Sequence, residues 1–316
     1  MFPHTHLGNV HGFPMSFPAA TPLAADAGIG DRTSIPGALL ALTKPRIAFM
    51  SVVTAMVAYG TARPDSPATL ATFAGTALSA GGVLSLNQWW ERDLDARMRR
   101  TLGRPLPQLR LKPMMALGWS VCLCLLGVFL LALTVNIQAA VLAALTIVTY
   151  GLIYTPLKQR TPWATEIGAV SGALPALLGN AAAGNLWAAP GVTLATMLLF
   201  WQMPHFFAIG WRYRDDYRAA GFRLRPAIDA SGRSTASWSF AHAVMLLPVS
   251  VVPWRLGWLG AIYGVTTLVA GLLFVACAWR FVVASDRDQA ARRLFTASLV
   301  YLLVFLAALL LDQIRV

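Results

Sequence analysis

Long apolar runs separated by short polar segments dominate this chain. A helix of about 20 apolar residues is long enough to cross the hydrocarbon core of a bilayer. The pattern therefore predicts an all-α, polytopic membrane helical bundle with about nine transmembrane helices around a central intramembrane cavity. The predicted spans lie near residues 46–62, 68–88, 114–133, 137–154, 165–184, 190–211, 236–253, 257–281 and 293–312.

Composition supports a membrane protein with a short additional segment at its start. The 316 residues are 57% hydrophobic and 12% charged, whereas soluble domains carry about 25% charged residues. Residues 1–37 are rich in Pro, Gly, Ala and Thr, which predicts a disordered N-terminal arm. They lack the basic start and apolar core of a signal peptide. Residues 38–316 are predicted to form one membrane domain.

The formal net charge of +12 by itself would fit a nucleic-acid-binding protein. Its distribution indicates otherwise, because all lysines and arginines except Arg63, Arg255 and Arg315 fall in the N-terminal arm or in the loops after even-numbered spans. This asymmetry is the positive-inside pattern of a polytopic protein. It predicts a cytoplasmic N-terminus, a C-terminus outside after nine spans, and no nucleic-acid partner.

The end of the second span carries the most informative polar pattern. Asn87, Glu91 and Asp95 follow one another at intervals of four residues. On an α-helix such positions share one face, whereas Asp93 falls on the opposite side. Two carboxylates and an amide form an all-oxygen donor set, which suits Mg²⁺. A run of basic residues follows at Arg97, Arg99, Arg100, Arg104, Arg110 and Lys112.

A second acidic cluster follows the sixth span. Asp215 and Asp216 lie there within Trp211–Gly221, so both clusters are predicted on the same side of the membrane. Facing each other, they could hold one or two Mg²⁺ ions against a diphosphate. The alternative is two solvated loops whose charges satisfy one another.

Four passages from about Leu42 to the C-terminus resemble the intramembrane prenyltransferases of the UbiA superfamily. The acidic motif of the second span is shared across that superfamily. The Pro-His-Phe and Asp-Tyr-x-x-Ala-Gly passages resemble the haem-farnesylating branch, the protohaem IX farnesyltransferases. The passages are Leu42-Thr-Lys-Pro-Arg46; Asn87–Met98 with Arg104-Pro-Leu106; Tyr154-Thr-Pro-Leu-Lys158 with Arg160-Thr-Pro162; and Pro204-His-Phe206 with Asp216–Gly221.

The resemblance implies an enzyme of the bacterial inner membrane. It would transfer farnesyl from farnesyl diphosphate to a vinyl group of haem b to make haem O, with Mg²⁺ as cofactor. The implied metal ligands and catalytic residues are Asn87, Glu91, Asp95 and Asp216. The implied substrate-binding residues are Lys44, Arg46, Arg104, Tyr154, Lys158, His205 and Asp215. Beyond the substrates and the lipid bilayer, haem A synthase or a terminal oxidase are candidate partners.

His205 lies within an apolar span, where a histidine is costly and often functional. Contact with haem is the preferred interpretation, and a hydrogen bond to a neighbouring helix is the alternative. Eleven residues separate His205 from Asp216. If the helix is continuous, the two residues share a face about 16 Å apart.

The sequence departs from the family's usual pattern at three places. Glu91 stands where many relatives carry Asp, Trp163–Glu166 replaces an Asn-containing stretch, and Arg223-Leu-Arg-Pro226 replaces Pro-Met-Leu-Pro. The alternative functions are therefore prenylation of a quinone precursor or a lipid, or a non-catalytic haem carrier or transporter. Transporters place their polar groups near the bilayer midplane, so acidic clusters at helix ends favour an enzyme.

Overall fold

The structure is a computed structural model that describes residues 34–62 and 68–314. Residues 1–33, which make up most of the predicted arm, lie outside the described residues. Arg63 and Arg315, two of the three basic residues predicted on the outer side, also lie outside them. The described residues are helical and contain no strand. The helices are α1 (Ile35–Leu42), α2 (Pro45–Thr61), α3 (Thr69–Asp95), α4 (Pro113–Thr134), α5 (Ile137–Ile147), a π-helical segment (Val148–Tyr154), α6 (Thr155–Leu157), α7 (Ala164–Ala182), α8 (Ala189–Arg212), α9 (Arg214–Ala219), α10 (Arg225–Ile228), α11 (Arg233–Arg255), α12 (Ala261–Val283) and α13 (Arg287–Ile314).

Each predicted span corresponds to a long helix within the described residues, which confirms the fold class. Among the described residues, seven helices are long and apolar enough to cross a membrane, and the bent pair α1–α2 raises the number to eight. The fifth predicted span corresponds to α7, which is not among them. The protein is thus an integral membrane protein, and its described residues form seven or eight candidate spans together with helix α7, close to the predicted nine.

Helix α7 is less apolar because it lies inside the bundle. It packs against α2, α5 and α8 and is built largely from buried small residues, including Ala169, Ser171, Ala173 and Ala176. Small side chains allow helices to approach closely in a membrane. A helix surrounded by protein does not need the lipid-facing Leu and Val residues that raise hydropathy in the outer helices.

The first two helices meet at a bend of 48°. Helix α1 starts after Ser34, whose hydroxyl accepts a hydrogen bond from the amide of Gly37. Helix α1 therefore includes residues 35–37, the last three residues of the predicted arm. Between the helices, Lys44 has a left-handed backbone with φ of 47°. This is an unusual conformation for a residue with a side chain, and it is followed by Pro45, which begins α2.

Helix α8 ends at Arg212, and Tyr213 separates it from α9 with a non-helical backbone. The condition under which His205 and Asp216 would share a helix face, a continuous helix, is therefore not met. Residues 213–228 instead fold as a cap segment over the ends of α3 and α6. Phe222 and Leu224 pack with Met98, which follows α3, and the amide of Arg223 donates to the carbonyl of Lys158 at 2.8 Å.

Candidate active site

The last three turns of α3 form a buried polar row. Asn87, Glu91 and Asp95 are 1%, 4% and 0% exposed, and all three lie on the inward face of the helix. The side chain of Asp93 is 77% exposed. The structure confirms the shared face that the four-residue spacing predicted, and the opposite position of Asp93.

Each member of this row contacts a cation from a different segment. The ammonium of Lys44 donates to Asn87 Oδ1 at 2.9 Å, and that of Lys158 donates to Glu91 Oε1 at 2.8 Å. Arg104, from the loop after α3, pairs with Asp95 Oδ2. Three segments distant in sequence thus converge on one helix face, and each delivers one basic side chain.

One carboxylate oxygen of the row has no partner in the described residues. Asp95 Oδ1 is buried and accepts no hydrogen bond, although a buried acceptor without a partner is costly. A metal ion at this position would satisfy that oxygen. Within residues 34–62 and 68–314, however, no three His, Cys, Asp or Glu side chains are close enough together to form a metal-binding group. The four-residue set that includes Asp216 is therefore not gathered into one cluster.

The second acidic cluster lies beside the loop that follows the first. Asp216 Oδ2 accepts a hydrogen bond from the amide of Arg100 at 3.3 Å. The guanidinium of Arg100 lies over the rings of Tyr213 and Tyr217. The structure thus places Asp216 beside the loop that follows Asp95. Asp215 is different, because its exposed carboxylate pairs with Arg218 on the same short helix.

A π-helical segment presents two aromatic rings to the site. Pro156 has no amide hydrogen, so the regular helical ladder cannot continue through it. The chain widens into the π-helix, and Thr155 Oγ1 donates to the carbonyl of Tyr150 at 2.8 Å. The same hydroxyl accepts from Asn87 Nδ2 at 3.2 Å. Such π-helical segments are frequent at functional sites.

Tyr154 joins this polar site to the membrane interior. Lys158 Nζ lies 4.5 Å from the centre of the Tyr154 ring, and the ring of Tyr150 is 5.3 Å away. Burial alone would lower the pKa of Lys158, but the Glu91 carboxylate and the two phenol groups raise this pKa above its usual value. Lys158 therefore stays positively charged at physiological pH.

A cavity of about 240 Å³ lies between α2, α3, the π-helical segment, α7 and α8, with Tyr154 in its wall. Its walls are mainly apolar, and Ala80, Val83, Leu84 and Phe206 are among the lining residues. Gly168 makes room for the tyrosine, since a Cβ there would lie 2.5 Å from Tyr154 Cδ2. This is the central intramembrane cavity that the sequence predicted.

His205 does not line this cavity, although the next residue, Phe206, does. Its Nδ1 lies 2.9 Å from Ser298 Oγ on α13, and its ring is stacked on Trp201 at 4.8 Å. The structure therefore shows the hydrogen bond to a neighbouring helix that was the alternative interpretation. Contact with haem stays a prediction.

Sequence reasoning also selected one residue that the structure leaves apart, and it missed others. Arg46 is exposed on the first turn of α2, and in the described part no hydrogen bond or ion pair joins it to the row. Tyr150, Thr155 and Gln88 were not selected. Gln88 Nε2 donates to the carbonyl of Leu42 at 2.7 Å and so holds the bend that carries Lys44. The only sequence signal was the four-residue spacing of Tyr150 and Tyr154, which places both rings on one face of a helix.

Comparison with known proteins agrees with this geometry. A family model described as the UbiA prenyltransferase family matches residues 48–307. The chain belongs to the UbiA prenyltransferase family. Among curated members similar to this UbiA chain, a protoheme IX farnesyltransferase of Opitutus terrae is 44% identical over 277 residues, which cover 87% of this chain and 94% of that protein. Another, from Salinibacter ruber, is 42% identical and covers 86% of this chain and 97% of its own.

Solved structures share the fold at low identity. A digeranylgeranylglyceryl phosphate synthase superposes with a TM-score of 0.75 at 18% identity, covering 88% of this UbiA chain and 98% of its own. A UbiA homolog from Archaeoglobus fulgidus, bound to GPP and Mg²⁺, gives a TM-score of 0.63 at 13% identity, with coverage of 86% and 99%. At this identity the likeness establishes the fold alone.

Proposed function

We propose that this protein is a Mg²⁺-dependent protohaem IX farnesyltransferase, which transfers farnesyl from farnesyl diphosphate to a vinyl group of haem b to make haem O. The observation that carries the proposal is the buried row of Asn87, Glu91 and Asp95, paired with three cations beside an apolar cavity. The relatives named protoheme IX farnesyltransferase support the choice of donor and acceptor.

The charge balance of the row explains why a divalent cation would be required. When all five groups are ionised, Lys44, Arg104 and Lys158 bring three positive charges against the two carboxylates of Glu91 and Asp95, which gives a sum of +1. A diphosphate carries more negative charge than this, and burying an unbalanced charge is costly. Protein cations that are already paired with carboxylates cannot neutralise the diphosphate alone.

The donor set fits Mg²⁺. The unpartnered Asp95 Oδ1, the Glu91 carboxylate and the Asn87 carbonyl oxygen lie on successive helical turns, and Mg²⁺ prefers oxygen ligands. The similar fold of the homolog bound to GPP and Mg²⁺ supports this assignment. When bound, Mg²⁺ would act as a Lewis acid that neutralises the leaving diphosphate. We propose Asp216 as a further ligand from the cap segment.

The basic residues of the site would hold the remaining diphosphate oxygens. Lys158 and Arg104 are paired with Glu91 and Asp95, the carboxylates that would bind the metal. Once those carboxylates bind metal, both basic side chains can turn to the diphosphate. Arginine can bind such oxygens in a bidentate manner. Lys44 contributes from the bend between α1 and α2. We propose Arg46 as a residue that attracts the anion from the surface, because it is exposed.

The cavity next to these groups would hold the farnesyl chain. When the C–O bond breaks, the diphosphate keeps the electron pair, and positive charge develops on the allylic carbon. The faces of Tyr154 and Tyr150 can stabilise that charge, and the apolar walls exclude water from it. The terminal vinyl carbon of haem b then bonds to the allylic carbon. Water adds to the resulting cation with loss of a proton, which gives the hydroxyethylfarnesyl group of haem O.

The decisive experiment uses purified full-length protein in lipid nanodiscs with haem b, farnesyl diphosphate and Mg²⁺. We expect mass spectrometry to detect haem b with one added farnesyl group and one added hydroxyl group. The reaction should stop when EDTA removes the metal. If haem b stays unmodified while a quinone precursor or a lipid is prenylated under the same conditions, the proposed acceptor is wrong.

The orientation of the protein is also a proposal. The distribution of basic residues supports a cytoplasmic N-terminus and a C-terminus outside. The diphosphate site would then face the cytoplasm, where farnesyl diphosphate is available as a water-soluble anion. Haem A synthase or a terminal oxidase would be suitable partners, because either could accept the apolar product within the bilayer.

A further inference from the structure

A cavity of about 860 Å³ lies away from the candidate active site, in a groove between α12 and α13. Its lining is mainly aliphatic, and several lining residues are more than half exposed, including Val265, Val269, Leu273 and Val300. The groove therefore opens to the outside of the bundle, where lipid surrounds an integral membrane protein.

The groove has the length of one lipid leaflet. Along α13 its lining extends from Arg292 to Val304. At 1.5 Å per residue this distance is about 18 Å, slightly more than half of a hydrocarbon core of about 30 Å. The groove can therefore accommodate an acyl chain that enters from one membrane surface.

A second cavity of about 260 Å³ continues from the end of the groove, and the two share Cys277 and Arg293. This smaller cavity, here called the vestibule, has the polar residues Arg280, Ser285 and Gln289 in its lining beside Val283 and small apolar residues. An apolar groove that leads to basic and polar side chains has the shape and polarity of a phospholipid.

The basic side chains at this end carry charge that the protein does not neutralise. Arg280, Arg292 and Arg293 are exposed, and within the described residues none of their guanidinium groups forms an ion pair or hydrogen bond. The acid that lines the vestibule is Asp286, whose Oδ1 accepts from the amide of Gln289 at 3.0 Å. Asp288, one turn before Arg292, is already paired with Arg214. Three arginines and one carboxylate leave an excess of positive charge, which attracts anionic lipid head groups.

We propose that the groove and the vestibule bind one anionic phospholipid. Its acyl chain would lie between α12 and α13, and its phosphate would contact Arg292 and Arg293. Polar head-group atoms, such as the hydroxyls of a glycerol head group, would contact Ser285 and Gln289. This site shares no lining residue with the cavity beside Tyr154 and does not depend on the proposed activity.

Native mass spectrometry of the detergent-purified full-length protein tests this inference. Phosphatidylglycerol and phosphatidylcholine with the same acyl chains are added in turn. We expect selective retention of phosphatidylglycerol. The Arg292→Gln/Arg293→Gln variant should bind it about 30-fold more weakly, because each basic side chain near the membrane surface contributes about 1 kcal/mol. Arg233→Gln is the matched control, since Arg233 is an exposed arginine at the start of α11 and should leave retention unchanged.

A second variant tests the apolar part of the site. Val300→Trp should fill the groove and reduce retention of phosphatidylglycerol while both arginines remain. Equal retention of the two lipids by the unchanged protein would overturn the proposal, and so would full retention by the double arginine variant. Glycerol phosphate without acyl chains should not compete at lipid-like concentrations. Effective competition would show a surface phosphate site and would also overturn the lipid assignment.

Discussion

Replacement of Asp95 by Asn tests the acidic row most directly. Asp95 is fully buried, its Oδ2 pairs with Arg104, and its Oδ1 has no partner in the described part of the chain. Asparagine keeps the size of the side chain and one carbonyl oxygen that can accept from Arg104, so the protein should remain folded and inserted. It loses the negative charge that a metal ion requires.

The expected loss of turnover follows from the electrostatic role of this carboxylate. One contact to developing charge in a water-excluded site contributes about 3 kcal/mol, which corresponds to a decrease of about 10²-fold in rate. We expect Asp95→Asn to lose at least this factor in the nanodisc assay with haem b and farnesyl diphosphate. Asp93→Asn is the control, and it should change turnover by less than about threefold, because Asp93 points outward.

A double variant distinguishes a role of Asp95 in metal binding from a role in pairing with Arg104. If Asp95 served only to neutralise Arg104, then Asp95→Asn combined with Arg104→Gln would remove both charges and restore turnover. We expect no restoration, because both side chains are proposed to act on the metal and the diphosphate. Near-normal turnover of Asp95→Asn at ordinary Mg²⁺, or recovery in the double variant, would refute the assignment. Thermal unfolding and gel filtration would confirm that each variant is folded.

Three further predictions concern other parts of the chain. His205→Ala should lower the thermal midpoint, because the hydrogen bond to Ser298 is lost. Weakened haem binding in absorbance titrations, with an unchanged thermal midpoint, would instead support contact between His205 and haem. Glu166→Gln should destabilise the cap segment, because the buried Arg225 would lose its carboxylate partner at 3.1 Å, at a cost of about 3–5 kcal/mol; an unchanged thermal midpoint would contradict this. Reporter fusions at residues 105 and 225 should report the cytoplasm, and a C-terminal fusion should report the outside; a cytoplasmic C-terminus would mean that the number of spans is wrong.

Hydrophobic periodicity and local spacing determined most of the fold from sequence. In a bilayer every backbone polar group must be satisfied within the protein, so a long apolar run has almost no alternative to a helix. The nine runs therefore predicted the ends of the long helices to within seven residues, the largest difference being at the end of α3. The four-residue spacing of Asn87, Glu91 and Asp95 likewise determined their common face, because helix geometry alone sets it.

Short and irregular elements were not determined in this way. Helix α1 has eight residues, too few for a hydropathy signal, although the Ser34 cap could have indicated its start. The break at Tyr213 depends on how the cap segment packs over Met98 and Lys158. No local pattern encodes such a contact, so the sequence left open whether one helix continues from His205 to Asp216.

The partners of the acidic row were decided by tertiary structure alone. The sequence supplied Lys44, Arg104 and Lys158 as candidate basic residues, but it could not assign each to one member of the row. Those pairings depend on the bend before α2, on the loop after α3 and on the π-helical segment before Pro156. The side of α8 that His205 faces was decided in the same way, by the packing of α13 against it. Sequence periodicity determines which residues share a helix face, whereas only the packing of all the helices determines what that face contacts.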